Sequence, residues 1–225
     1  MDAGMRLYRL TVLPNLVLSL PMVLAAQSPN IYRLSHAGRD PWWCSLAIVG
    51  PVLSLYFWAA LAQRQAAVAN AQSLGVGAAL LRPVSAMPRL VALAVLSVAG
   101  IAGGLVLLIV PGLLAMLVAL LAPYALVLAG LRPLAACERA WQLLKRRLGL
   151  SVAVIAMCCA LFLVFYIVFA VLGVMIAQGL GADPLSGRAW SAGAGCLAQA
   201  LFAPMITAVL LTLFRAMVTM PVDPV

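Results

Sequence analysis

From residue 90 to residue 131 the chain runs for more than forty positions without one charged side chain. A helix needs about 20 mostly apolar residues to cross the hydrocarbon of a bilayer, so this stretch is too long for a single crossing. Pro111-Gly112 stands at its middle, and the spacing predicts a helical hairpin that turns there. Four more apolar runs of spanning length lie outside it. The expected architecture is an all-α integral membrane bundle of six transmembrane helices, arranged as three hairpins in a single domain over residues 1–225. The spans fall near 10–26, 43–62, 90–110, 112–131, 150–178 and 190–214.

Composition agrees with this reading. Hydrophobic residues make up 66% of the chain, against roughly half in a water-soluble domain. The net charge of +9 does not indicate nucleic acid, because the basic residues are scattered between apolar runs and no soluble region carries a binding face. Arg6 and Arg9 ahead of an apolar run resemble the first half of a signal peptide. A second span follows closely, which favours an uncleaved first helix. The cysteines, Cys44, Cys137, Cys158, Cys159 and Cys196, include no CxxC pair and read as small apolar residues, with a Cys44–Cys196 disulfide near the outer face as the alternative.

Loops rich in lysine and arginine stay in the cytoplasm. With the N-terminus inside, eleven of the fourteen cations lie on cytoplasmic segments, and only Arg33, Arg39 and Arg188 lie outside. Both termini are therefore expected in the cytoplasm, with Trp42, Trp43 and Trp190 at the outer interface. A three-fold pattern overlies this topology: each hairpin's returning helix carries one proline, Pro51, Pro123 or Pro204, nine to thirteen residues before Arg64, Arg132 or Arg215. An internal repeat and chance alignment of common transmembrane prolines both account for it.

The charges concentrate in RPLAACERAWQLLKRRLG, residues 132–149, which holds four of thirteen arginines, the sole lysine and the sole glutamate. Pro133 suits a first helical turn and Gly149 the position past the end. Leu134, Cys137, Trp141, Leu144 and Leu148 form one apolar stripe, with Arg139, Gln142, Lys145 and Arg146 opposite. This pattern predicts an interfacial helix over 133–148 on the cytoplasmic leaflet, where anionic lipids attract each cation by about 1 kcal/mol. Its role is either to enforce topology or to bind lipid headgroups or a partner through Arg139, Trp141, Lys145, Arg146 and Arg147. Residues 65–88 are a weaker version, a second interfacial helix or a loop. Glu138 has no cation three or four residues away, so its expected partner is an arginine of another segment: Arg64, Arg82, Arg89 or Arg215.

Residues 103–149, GGLVLLIVPGLLAMLVALLAPYALVLAGLRPLAACERAWQLLKRRLG, resemble the YciC-like bacterial membrane proteins and the membrane domain attached to some glycerophosphodiester phosphodiesterases. The likeness rests on Pro111-Gly112 between two apolar helices and on Pro133, Leu134 and Ala136 opening the interfacial helix, with Trp141, Leu143 and Lys145 further along. The chain departs from that pattern at Ala129, where an acidic residue is usual, and at Ala140, where serine is. The resemblance implies a six-helix inner-membrane fold and says little about activity; the phosphodiesterase belongs to a separate soluble domain.

Catalysis finds little to work with. His36, in the outer loop NIYRLSHAGRD near Asp40, is too sparse for a metal site or dyad, and no GxSxG, HExxH or P-loop pattern occurs. No catalytic, cofactor or metal residue is expected. Ion-coupled transport leaves ionisable groups inside the bilayer, and every charge here reads as lying at a helix end or in a loop. Asn15, Ser54, Ser97, Tyr124, Tyr166, Gln199 and Thr207 read as helix–helix hydrogen-bonding groups. Gly100 and Gly104 form a GxxxG, for hairpin packing or for dimerisation. A non-enzymatic protein that organises lipids or partner proteins is the expected function. A pathway for a lipidic or apolar molecule is the alternative.

Overall fold

A computed structural model describes residues 2–35, 41–107, 109–146, 148–179, 181 and 184–219. Helices dominate: α1 (Asp2–Ser35), α2 (Pro41–Ala69), α3 (Val76–Leu81), a 3-10 turn (Arg82–Ala86), α4 (Met87–Leu107), α5 (Ile109–Ala129), α6 (Pro133–Arg146), α7 (Leu148–Gly179) and α8 (Pro184–Thr219). No strand occurs among the described residues. Five segments are long and apolar enough to cross a membrane: Ser45–Ala69, Val76–Val106, Pro111–Ala129, Leu148–Gly179 and Ala192–Thr219. The protein is thus a multi-pass, all-helical membrane protein. Long α1, with Pro14, Pro21 and Pro29 inside it, packs along α2 and α8.

α1, α2, α7 and α8 each outrun the expected span, because these helices continue past the apolar run into the flanking polar residues. Residues 65–88 do not form one interfacial helix. The first five complete α2, and α3 then turns back so that the Tyr56 hydroxyl donates to the Leu80 carbonyl. Gly149 does not end a helix either, since it lies in the first turn of α7.

The turn between α4 and α5 is also displaced. α4 ends at Leu107 and α5 begins at Ile109, so Pro111 sits in the first turn of α5, where its missing N–H has no carbonyl to bond. Gly112 then serves packing: a Cβ on Gly104 would stand 2.8 Å from the Gly112 Cα and N, and one on Gly112 would strike the Leu105 side chain at 2.6 Å. A Cβ on Gly100 meets nothing within 4 Å, so only the second glycine of the GxxxG packs the hairpin. At the other end of α5, Gly130 takes a left-handed φ of +66°, which an L side chain resists, and releases the chain into α6.

Burial sorts the helices into layers. In α8, 61% of the most apolar window is buried, against 11% in α7, the more hydrophobic of the two. Lipid is as apolar as leucine, so the most apolar helix goes outermost. The core lies where α2, α5 and α8 meet: buried Tyr124 packs edge-on to Trp58 at 5.1 Å and stacks on Phe214 at 6.3 Å. α7 leans on α8 through Phe162 and Phe165, both against Phe202.

Candidate functional site

Prolines inside α8 and α1 strip carbonyls of their helical partners, and a polar side chain of a neighbouring helix or of the same helix takes over. Pro204 has no N–H, which frees the Ala200 carbonyl four residues earlier. The Ser19 hydroxyl of α1 donates to that oxygen at 2.7 Å. Gln65 of α2 donates from Nε2 to the Pro204 carbonyl at 2.8 Å. Pro29 frees the Ala25 carbonyl in the same way, and Ser28 donates to it at 2.8 Å, while Gly50 lets α2 press against the same atoms. Gln27 and Gln199 add a bond of 3.1 Å between α1 and α8.

Arg64 sits among these groups. It is buried inside α2, five residues before the end, and its guanidinium donates to the Asn15 amide oxygen of α1; Asn15, Ser19 and Gln65 are fully buried. This corrects the expectation that every charge lies at a helix end. Arg64 Nε and the Oε1 atoms of Gln63 and Gln65 are buried without a hydrogen-bond partner among the described residues. Arg215 donates to the Asn70 side chain and to the Ala66 carbonyl. Two of the four cations expected beside Glu138 are therefore engaged elsewhere. Among the described residues Glu138 is exposed and forms no ion pair. Arg64 and Arg215 are out of reach because α6 lies against α5 and α4, away from the α1–α2–α8 cluster, and Arg82 and Arg89, in the 3-10 turn and the first turn of α4, form no ion pair with Glu138 either.

The buried face of α6 also differs from the expected stripe. Ala136, Ala140, Leu143 and Leu144 face the core, whereas Leu134 is exposed and Cys137 and Trp141 are half-buried. Both alanines are fully buried where α6 packs against α5. Leu134, Cys137, Glu138 and Trp141 are left along one flank, and this flank forms the wall of a surface groove of about 540 Å³. Leu96, Ser97 and Gly100 of α4 and the stretch of α5 from Pro111 to Ala119 supply the rest. Burial pushes the Cys137 thiol up, which keeps it protonated at neutral pH.

Of the residues expected to meet lipid or a partner, Trp141 lines the groove and the Lys145 ammonium lies over its ring, 4.8 Å from the centroid. Arg139 is half-buried and Arg146 exposed. Arg147 lies outside the described residues, as do His36, Asp40 and the side chains of Trp42, Trp43 and Cys44. Cys196 is a free thiol, and the expected pairing with Cys44 falls on a side chain outside the described residues. Pro111 and Gly100 join the groove, and Gly104 and Gly112 pack the hairpin behind it. No group of three potential metal ligands occurs among the described residues. A second apolar groove of about 670 Å³ lies between α7 and α8, lined by Phe169, Leu172, Ile176 and Trp190 among others.

The sequence reading missed Arg64 with Asn15, and Gln65 with Pro204. The signal for both was Gln63-Arg64-Gln65, flanked by apolar Trp-Ala-Ala-Leu-Ala and Ala-Ala-Val-Ala, a polar triplet enclosed by helix rather than ending it. Comparison of the chain with family models, curated proteins and solved structures returned no match.

Proposed function

We propose that this protein is a non-enzymatic component of a bacterial inner membrane that holds lipid in the groove between α4, α5 and α6. The observation that carries the reading is the groove itself: a concave, almost wholly apolar surface, bounded on one side by the charge-bearing helix α6. Small side chains, Gly100, Ala115 and Ala119, lie along its floor. α6 is an interfacial helix of the cytoplasmic leaflet, and Arg139, Lys145, Arg146 and Arg147 draw phosphates to it. The bundle has six spans, α1 being the sixth, and both termini are cytoplasmic, as the distribution of cations supports. Reporter fusions at Met1 and Val225 should both read cytoplasmic; a periplasmic signal from either contradicts this topology. Membership of the YciC-like family belongs to the same proposal, as does assembly with a membrane partner or a second copy.

Filling the groove tests the reading. Gly100→Leu places a side chain where nothing stands within 4 Å of the Cβ, so the fold tolerates it. The variant should retain less phospholipid after detergent exchange than the wild type or Val98→Leu, which alters an exposed residue outside the groove. Equal retention in all three contradicts lipid holding. The second groove, between α7 and α8, favours passage of lipid between two sites as an alternative. Reconstituted protein that scrambles labelled lipid between leaflets would support passage; intact leaflet asymmetry would support holding.

A further inference from the structure

Glu138 is the only acidic residue whose side chain is described, and it stands on the rim of an apolar groove with no cation paired to it among the described residues. On an interfacial helix such a carboxylate is presented to the headgroup of whatever lipid occupies the groove. The helix does not supply a positive partner, and neither do Arg64 and Arg215, which are bound elsewhere. We propose that the partner is the primary ammonium of an aminophospholipid, a phosphatidylethanolamine, whose acyl chain lies in the groove; this rests on the lipid-holding function above.

The neighbouring side chains fit such a headgroup. Glu138, Trp141 and Lys145 follow one another at steps of three and four along one face of α6. Seven residues of helix put the first and last Cα about 10.5 Å apart. Helical side chains lean toward the N-terminus, and Lys145 does so, its ammonium lying over the Trp141 ring. The result is a row of negative, aromatic and positive groups along one face of α6. Phosphatidylethanolamine carries the complementary row, an ammonium joined through two carbons to a phosphate. Its ammonium faces Glu138 and its phosphate faces Lys145. The three N–H groups of a primary ammonium form charge-assisted hydrogen bonds to a carboxylate, which the quaternary ammonium of phosphatidylcholine cannot. Phosphatidylglycerol brings no cation and meets Glu138 with like charge. The site therefore selects against the anionic lipids that a basic helix would gather by charge alone.

Native mass spectrometry of the purified full chain, titrated with dioleoyl forms of the three lipids, tests this. Wild type should bind phosphatidylethanolamine about fivefold more tightly than either competitor, the scale of one partly exposed charge-assisted contact. Glu138→Gln should lower ethanolamine binding to the choline level and leave choline binding unchanged. Lys145→Gln should weaken both alike, since both carry the phosphate. Soluble phosphoethanolamine should not compete, having no chain for the groove. A preference that survives in Glu138→Gln, or wild type that holds all three lipids equally, overturns the headgroup assignment and leaves the groove standing. Wild type that retains no lipid, with Gly100→Leu indistinguishable from it, overturns the assignment and lipid holding together.

Discussion

Two sides of this bundle are held together by different means. Where α1, α2 and α8 meet, buried side-chain hydrogen bonds join the helices, and most of them serve carbonyls freed by proline or the buried guanidinium of Arg64. Where α4, α5 and α6 meet, no buried interhelical side-chain bond is found among the described residues, and contact depends on small residues: Gly104 on Gly112, and Ala136 and Ala140 on α5. Directional bonds close the first region around its polar groups. Small-residue packing brings backbones together without filling the space beside them, and there the groove opens. The closed side fixes the fold and the open side is free to bind.

This contrast can be broken at its points of closest contact. Gly104→Leu forces a side chain into the α5 backbone, which is overpacking of about 3 kcal/mol, and thermal unfolding in detergent should fall by far more than for Gly100→Leu four residues away. Equal loss at both glycines would mean that the hairpin does not pack as described.

On the polar side, Asn15→Leu leaves the Arg64 guanidinium buried without its partner, at a cost of about 2 kcal/mol. Adding Arg64→Leu should recover part of that loss, because removing both members of a buried pair costs less than removing one. A double variant less stable than either single one would show that Arg64 has a further essential contact.

Ser19→Ala sharpens the role assigned to proline. The hydroxyl bonds a carbonyl that Pro204 frees, a contact worth about 0.6–1.7 kcal/mol between helices in a membrane. Pro204→Ala restores an N–H for that carbonyl, so the effect of Ser19→Ala should disappear in its background. An effect of the same size in both backgrounds contradicts the coupling. The smallest change expected is Glu138→Gln: with no ion pair to lose, stability should move by less than about 0.5 kcal/mol, while lipid preference changes.

The sequence carried the class of the fold because hydropathy decides it: forty apolar residues admit a hairpin and nothing shorter. It placed the turn at Pro111-Gly112, which lies inside α5, because a proline reads equally as a turn and as the first turn of a helix. The rim of the groove was partly legible, since Cys137 and Trp141 stood out as one stripe. That the stripe would flank the groove while Ala136 and Ala140 joined Leu143 and Leu144 in the core was not legible, because an alanine reads equally as a helix contact and as a neutral surface residue. The partner of Arg64 was out of reach for another reason: Asn15 is 49 residues away, and only the packing of α1 on α2 joins them.

Lipid in the groove is most directly detected by cross-linking. The protein is reconstituted with phosphatidylethanolamine bearing a photoactivatable diazirine on one acyl chain, passed through repeated detergent exchange to strip loosely bound lipid, irradiated and mapped by peptide mass spectrometry. Labels should persist at Ser97–Gly100, Pro111–Ala119 and Leu134–Trp141, while those on the exposed α7 residues that line neither groove, Val164, Val168 and Val171, disappear with exchange. Loss of both sets together, or retention on α7 alone, would contradict a lipid held between α4, α5 and α6.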